Sequence, residues 1–160
     1  MRCALVSLGL LVCWVGTAAA QDMRLDRLDL GLRGGYEFDD VSEFSVGGEA
    51  RIYLKDQPYF INPAVDVYLM SGQTSLWQAD LNAFYLFQND VGILPYMGGG
   101  LGYTRLAIGD RSQAETGINL VLGVFIEVTY VRLFVQGRST LSNFDTVSAQ
   151  AGVSFPFFRR

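Results

Sequence analysis

The sequence of 160 residues contains no histidine, only two cysteines and only four prolines. Without histidine, the usual Ser-His and Cys-His nucleophile pairs and His-based metal sites cannot be built. Charged residues make up 18% of the chain, and sixteen acidic residues outnumber twelve basic ones, which is not the footprint of a nucleic-acid-binding protein. Half of the residues are hydrophobic, which excludes intrinsic disorder. We therefore expect a folded domain with no nucleic-acid partner, no metal and no cofactor.

The first twenty residues have the three parts of a secretory signal peptide. Met1-Arg2 supplies a positive charge, Ala4–Val15 supplies a short apolar run, and small residues at 17–20 precede Gln21. We predict export through the Sec pathway with removal of residues 1–20, which leaves a single domain at 21–160. The apolar run is too short for a typical membrane-spanning helix.

Both cysteines fall inside this segment, so the exported chain would hold no disulfide bond although it reaches an oxidising compartment. A lipid-attachment site at Cys13 is the alternative interpretation of the same segment. It is disfavoured because Val12 is bulkier than the small residue expected before a lipidated cysteine.

Beyond residue 21, hydrophobic and polar residues alternate. From Phe44 to Leu54, even positions carry Phe, Val, Gly, Ala, Ile and Leu, and odd positions carry Ser, Gly, Glu, Arg and Tyr. Successive side chains of a strand point to opposite faces, so such a segment has one apolar and one polar face. The alternation predicts strands of about ten residues, long enough to cross a bilayer, at 28–37, 44–54, 59–69, 76–87, 94–105, 116–126, 129–139 and 147–157.

Short connectors rich in Asp, Asn, Gly and Pro separate these segments, which favours an antiparallel up-and-down meander. The apolar face is large and nearly free of charge, whereas a soluble barrel would carry charge on its outer face. We therefore predict an eight-stranded antiparallel transmembrane β-barrel with the apolar face toward lipid. Its lumen would hold glycines together with the polar side chains of Arg33, Glu49, Arg51, Asn62, Asp66, Gln78, Asp80, Asn82, Asn119, Arg132, Gln136, Arg138, Ser148 and Gln150.

The charged residues of this lumen allow two functional interpretations. They are candidates for a gated solute path, because buried charges often mark one. They are also candidates for a paired plug, because an arginine fork matches a carboxylate and unpaired buried charge is costly. The near balance of signs favours the plug, formed by Arg33, Glu49, Arg51, Asp66, Asp80, Arg132 and Arg138.

Aromatic residues cluster where the two membrane interfaces should lie. The membrane-facing ones are predicted to be Tyr36, Trp77, Tyr85, Phe87, Tyr103, Phe155 and Phe157, and Tyr53, Phe60 and Tyr96 are assigned to the same girdles. Pro63 lies inside a strand and removes a ladder donor, so a bulge or local irregularity is expected there.

The segment Leu94–Tyr103, which reads LPYMGGGLGY, resembles the Pro-Tyr-x-Gly-x-Gly-x-Gly-Tyr strand of small Gram-negative outer-membrane barrels. Residues 30–36 and 151–155 are also similar to that group, which includes the barrel domain of outer membrane protein A and opacity-like porins. The resemblance implies insertion by the barrel assembly machinery, outer-membrane lipid and lipopolysaccharide as surroundings, and periplasmic termini. Members usually end in an aromatic residue, whereas this chain adds Arg159-Arg160 after Phe158.

With periplasmic termini, the connectors near 38–43, 70–75, 106–115 and 140–145 would face outward, and those near 55–58, 88–93 and 127–129 would face the periplasm. Only Leu106–Glu115 is predicted to be a long loop. The other outward connectors are short, and their shortness weakens an adhesin or receptor role, because barrels with such roles tend to carry long outer loops.

Catalysis has little support, because the paired acids Asp39-Asp40 are explained equally well as an acidic turn and no activated nucleophile is present. We expect a monomeric, non-enzymatic barrel with a structural or surface-interaction role. A narrow channel is the second hypothesis, and a soluble periplasmic ligand-binding barrel is the third.

Overall fold

A computed structural model describes residues 25–38, 43–70, 72, 74–89, 92–109, 111–142 and 145–159. The predicted signal peptide and Asp39-Asp40 lie outside these residues. None of the described residues belongs to a helix long and apolar enough to cross a membrane. The strands are β1 Leu25–Glu37, β2 Phe44–Leu54, β3 Tyr59–Tyr68, β4 Thr74–Leu86, β5 Ile93–Ile108, β6 Arg111–Val128, β7 Val131–Leu141 and β8 Thr146–Arg159.

Every strand pairs in antiparallel fashion with the next one along the chain, and β1 pairs with β8, so the sheet closes into a barrel. The predicted eight-stranded up-and-down architecture is confirmed. Closure satisfies backbone donors and acceptors within the sheet, which hydrocarbon surroundings require. We call the end that carries the β5–β6 turn the hairpin end, and the end that carries Leu25 and Arg159 the terminal end.

The two faces of the barrel differ in the way the alternation predicts. In β6, Leu120 and Leu122 point outward and are 54% and 65% exposed, whereas Asn119 and Val121 between them are buried. Charged and amide side chains occupy the inside of β1 to β4, β7 and β8 in the same way. A surface that exposes leucine and valine along every strand is stable in hydrocarbon and not in water.

The prediction of a long loop at Leu106–Glu115 is wrong. β5 and β6 pair as far as Ile108↔Arg111, so only two residues of the chain separate the two strands. Gly109 has φ of +57°, which a two-residue hairpin turn requires. The hydrophobic alternation fades here because, apart from Ala114, β6 is polar on both faces from Arg111 to Thr116, although the backbone pairing continues.

The irregularity expected at Pro63 is present, but it is not a bulge. The pairing of β2 with β3 is interrupted between Glu49↔Ala64 and Ile52↔Ile61, and the register is the same on both sides. By this register Ala50 lies opposite Pro63, and the Asn62 side-chain amide donates to the Ala50 carbonyl at 2.9 Å. The Asn62 amide thus replaces the donor that proline lacks.

Candidate functional site

The barrel interior brings together most of the polar side chains that the sequence marks. The register sets them in rows around the barrel, and one row runs through Arg33, Gly47, Asp66 and Gln78 on β1 to β4. Toward the hairpin end the rows are ionic, and toward the terminal end they are largely aromatic.

Arg33 and Asp66 form the central ion pair. Arg33 Nε and Nη2 donate to the two oxygens of Asp66 at 2.7 and 2.6 Å. Arg33 Nη2 also donates to Asp80 Oδ2 at 3.2 Å, and Nη1 donates to Glu49 Oε2 at 3.4 Å. One guanidinium on β1 therefore joins carboxylates from three other strands, in the bidentate geometry that makes arginine pairs strong and directional.

Arg138 on β7 binds the same carboxylates from the opposite wall. Its Nη1 donates to Asp80 Oδ2 at 2.7 Å and to Asp66 Oδ2 at 3.1 Å. Its Nη2 donates to the Tyr68 hydroxyl at 3.0 Å. Because Arg33 and Arg138 share Asp66 and Asp80, the four side chains form a cross-link through the centre of the lumen.

Uncharged side chains complete the coordination of Asp80. Asp80 Oδ1 accepts from Gln78 Nε2 at 2.7 Å and from Asn119 Nδ2 at 2.9 Å. Asn119 in turn accepts from the Thr140 hydroxyl at 2.9 Å. These donors are neutral, so they hydrogen-bond to the cluster without changing its net charge, and only the arginines offset the carboxylates.

Arg51 lies between the ionic and the aromatic parts of the lumen. It forms an ion pair with Glu49, and its Cζ lies 4.3 Å from the Phe125 ring centroid and 4.0 Å from that of Phe134. Its Nε and Nη1 are buried and have no hydrogen-bond acceptor among the described residues. The ring faces take the place of acceptors through cation–π attraction.

The aromatic part of the lumen was not predicted. Phe60, Phe84, Tyr96, Phe125 and Phe134 are almost fully buried in one cluster, with Tyr53 packed against it. The assignment of Tyr53, Phe60 and Tyr96 to the membrane girdles is therefore wrong. A signal was available, since Phe60 shares the parity of the inward-facing Asn62 and Asp66, but aromatic residues suit both a membrane interface and a packed interior.

Arg132 lies apart from the other predicted charges, near the terminal end. It donates to the Tyr53 hydroxyl at 2.9 Å, and it pairs with Glu127 and, at 4.0 Å, with Asp29. Arg27 also pairs with Asp29. This second ionic group was only partly marked by the sequence, which singled out Arg132 and not its carboxylate partners.

Cavities lie at both ends of the barrel. The one at the hairpin end measures about 120 Å³ and is lined by residues that include Glu37, Tyr68 and Leu106. One at the terminal end measures about 740 Å³ and is lined by residues that include Arg27 and Arg132. The two cavities share no lining residue, and the ionic and aromatic clusters lie between them.

The sequence matches the outer membrane protein beta-barrel domain family over residues 11–157. The chain belongs to this family. Its place is therefore the outer membrane, in a lipid and lipopolysaccharide environment, and the hypothesis of a soluble periplasmic barrel does not hold. No curated protein sequence matches the chain.

Solved structures of outer-membrane barrels resemble this one. The N-terminal β-barrel domain of OprF from Pseudomonas aeruginosa aligns with a TM-score of 0.69 at 20% identity, over 83% of this chain and 98% of that chain. Neisserial surface protein A gives 0.62 at 19% identity, over 81% and 96%. Ail, the attachment invasion locus protein of Yersinia pestis, gives 0.59 at 10% identity, over 82% and 97%. At these identities the likeness shows the fold alone.

On the lipid-facing surface of this outer-membrane barrel, aromatic side chains form two belts. Near the hairpin end, Tyr36 contacts Phe44 and Trp77 contacts Tyr103, with centroids 4.9 and 5.6 Å apart. The other predicted membrane-facing aromatics lie near the terminal end, and they are Tyr85, Phe87, Phe155 and Phe157, all exposed. Two such belts are typical of barrels that span a bilayer.

Proposed function

We propose that this protein is a structural barrel of the outer membrane whose lumen is closed by its ion pairs and whose hairpin end takes part in surface interactions. The observation that carries the plug is the sharing of Asp66 and Asp80 by Arg33 and Arg138. Moving a solute through the centre would require these pairs to separate in a buried site. Separated buried charges are costly, so the paired state dominates.

The charge balance of the centre supports the same proposal. Three arginines and four carboxylates are buried there in one network of ion pairs, namely Arg33, Arg51, Arg138, Glu37, Glu49, Asp66 and Asp80. A lumen that selects ions by charge carries an excess of one sign. Nearly equal numbers of opposite charges in mutual contact fit a structural role.

A narrow channel for small solutes is the second candidate. It is favoured by the buried donors that lack partners, among them Arg138 Nε and the Ser148 hydroxyl in the described part of the chain. Such groups could contact a passing ion or water chain. Conductance measurements separate the two candidates.

For biogenesis we propose removal of residues 1–20, export through the Sec pathway, insertion by the barrel assembly machinery, periplasmic termini and a monomeric state. We also propose that the protein has no enzymatic activity. Asp39-Asp40, the acids weighed for a catalytic role, lie outside the described residues. Asp145, another acid at the hairpin end, accepts from the Ser142 backbone N–H at 3.2 Å, as a turn residue does.

The test combines fractionation with electrophysiology. The protein should be found in the outer-membrane fraction, migrate differently on gels before and after boiling, and give no discrete conductance steps in planar bilayers. Reproducible steps whose size follows the bulk conductivity of the salt would instead assign the channel function.

A further inference from the structure

The β5–β6 hairpin leaves one edge of the sheet unpaired above the barrel. β6 begins at Arg111, but its pairing with β7 ends at Ile118↔Leu141. Among the residues that the structure describes, 111–117 of β6 therefore pair with β5 only. Gly117 is covered by the end of β7, whereas five of the six residues from Arg111 to Thr116 are exposed and Glu115 is half-buried. We call residues 111–116 the free edge.

The two turns that bound β6 show which backbone N–H and C=O groups of the free edge point away from β5. Pairs that flank a two-residue turn exchange hydrogen bonds, and hydrogen-bonded and non-bonded pairs then alternate. Ile108↔Arg111 flanks the β5–β6 turn, and Val128↔Val131 flanks the β6–β7 turn. Both turns place the N–H and C=O groups of the even residues of β6 on the β7 side. At Ser112, Ala114 and Thr116 no strand of the described part of the chain lies on that side, so these groups are available for pairing.

A cavity adjoins the free edge on its inner face. The cavity of about 120 Å³ is lined in part by Gln113 and Glu115 of β6 and by Leu76 and Leu106 of the neighbouring strands. Side chains of a strand added to β6 would alternate between the inner and the outer face. The inward ones would lie beside Glu115 and point into this cavity.

The chemistry of the cavity suits a long cationic side chain. Glu37 and Glu115 line it, and none of its lining residues is a lysine or an arginine. Glu115 makes no ion pair within the described part of the chain, whereas Glu37 accepts from the Tyr68 hydroxyl at 3.2 Å and forms an ion pair with Arg138 at 3.9 Å. A cavity lined by both leucines and carboxylates matches the aliphatic stem and charged head of lysine or arginine.

We propose that the free edge of β6 binds an extended segment of a partner protein by strand addition, and that the adjoining cavity takes a lysine or arginine side chain of that segment. Main-chain hydrogen bonds would supply affinity, and the acidic cavity would supply specificity. The inference rests on the proposed surface-interaction role, because it requires the hairpin end to face outward.

A second copy of this chain is a poorer occupant. An antiparallel ladder between two copies of the free edge needs a two-fold axis perpendicular to the sheet. That axis would invert one barrel relative to the other, whereas barrels inserted in one membrane point the same way. The free edge also carries Arg111 beside its glutamate, so it offers no excess of positive charge to an identical edge.

The test uses the intact protein in lipid nanodiscs and two fluorescein-labelled heptapeptides. One reads Thr-Lys-Val-Lys-Val-Lys-Thr, and the other has glutamate in place of each lysine. Fluorescence anisotropy should show binding of the lysine peptide in preference to the glutamate peptide. Ala114→Pro should weaken binding of the lysine peptide about tenfold, because it removes a free N–H and adds bulk at an edge position where proline is tolerated. Ala114→Val keeps the N–H and should bind like the unaltered protein.

Glu115→Gln should narrow the preference between the two peptides, whereas Glu43→Gln, an acid at the same end that does not line the cavity, should leave it unchanged. Equal binding of both peptides, or unchanged binding by the folded Ala114→Pro variant, would overturn the proposal. Chemical cross-linking between copies of the protein tests the alternative occupant. If Ala114→Pro abolishes this cross-linking but leaves peptide binding unchanged, the edge is a self-association surface instead. None of these binding outcomes bears on conductance. A failure of the proposed lumen plug would therefore be detected separately, by the planar-bilayer recordings.

Discussion

Gly47 lies directly across the β2–β3 ladder from Asp66, and the Asp66 carboxylate occupies the space that a side chain at position 47 would fill. Gly47 is also the ladder partner of Arg33 on β1. The arginine therefore passes over a strand that has no side chain at the crossing point, and reaches a carboxylate two strands away. The ion pair therefore depends on two features together, the length of the arginine side chain and the absence of a side chain at position 47.

Gly47→Ala should destabilise the barrel strongly. A Cβ at this position would overlap Asp66 Oδ1 and the Val65 carbonyl oxygen, so both the ion pair and the backbone must shift. Overpacking of this kind typically costs about 1–3 kcal/mol. The free energy of unfolding, measured by urea titration in lipid vesicles, should fall well below that of Gly48→Ala, whose Cβ would face outward with its nearest neighbour 3.8 Å away. Equal effects of the two substitutions would contradict the crossing geometry.

Replacing the ion pair as a whole should cost less than breaking it. Arg33→Met alone leaves Asp66 with weaker compensation, and Asp66→Leu alone leaves Arg33 without its bidentate partner, at about 3–5 kcal/mol each for a buried pair. The double variant removes both charges and should be more stable than the sum of the single changes predicts. A double-mutant cycle on the free energy of unfolding measures this coupling, and additive effects would show that the pair is not coupled.

Asp80→Ala and Arg132→Ala should lower thermal stability more than they change conductance. Asp80 holds both Arg33 and Arg138, and Arg132 holds the Tyr53 hydroxyl and the buried Asp29, so each truncation removes a partner from buried groups. Melting followed by circular dichroism and planar-bilayer recordings on the same preparations provide the comparison. Lys55→Ala, an exposed charge in the β2–β3 turn, is the control and should change neither. A large conductance in a folded Asp80→Ala variant would favour the channel.

Asn62→Ala should be partly rescued by Pro63→Ala. The Asn62 amide serves the Ala50 carbonyl that lies opposite Pro63, so its removal leaves a buried acceptor unsatisfied at about 1–3 kcal/mol. Alanine at 63 restores a backbone N–H opposite that carbonyl. Urea midpoints of the two single variants and the double variant test this relation. If Pro63→Ala stabilises the parent and the Asn62→Ala variant equally, the amide is not the substitute donor.

Leu122→Arg should destabilise the protein in a bilayer, although Leu122 is one of the most exposed side chains. It lies near the middle of the part of β6 that pairs with β7, and arginine facing lipid at the bilayer midplane costs about 2–4 kcal/mol. Ser112→Arg, on the part of β6 beyond β7, should cost nothing. Unfolding titrations in vesicles compare the two, and a neutral effect of Leu122→Arg would mean that this face does not meet hydrocarbon.

The alternation in segments such as 44–54 was enough to predict the strands and the two faces, because side-chain direction in a strand is a local property with period two. It failed where both faces met the same surroundings. From Arg111 to Thr116 β6 lies beyond the apolar zone, so its strand carried no hydrophobic signal. Phe60 and Tyr96 were assigned to the wrong face because an aromatic ring is stable both in the packed interior of the barrel and at the membrane interface.

The amino-acid sequence by itself therefore determined the strand count, the closed architecture and the preference of the outer face for lipid, since each follows from local periodicity and from the cost of unpaired backbone in hydrocarbon. Only the tertiary structure decided which charge meets which. Arg33 and Asp66 are 33 residues apart, and Arg138 and Asp66 are 72 apart. Their contact depends on the register of every ladder between them, which no local pattern specifies.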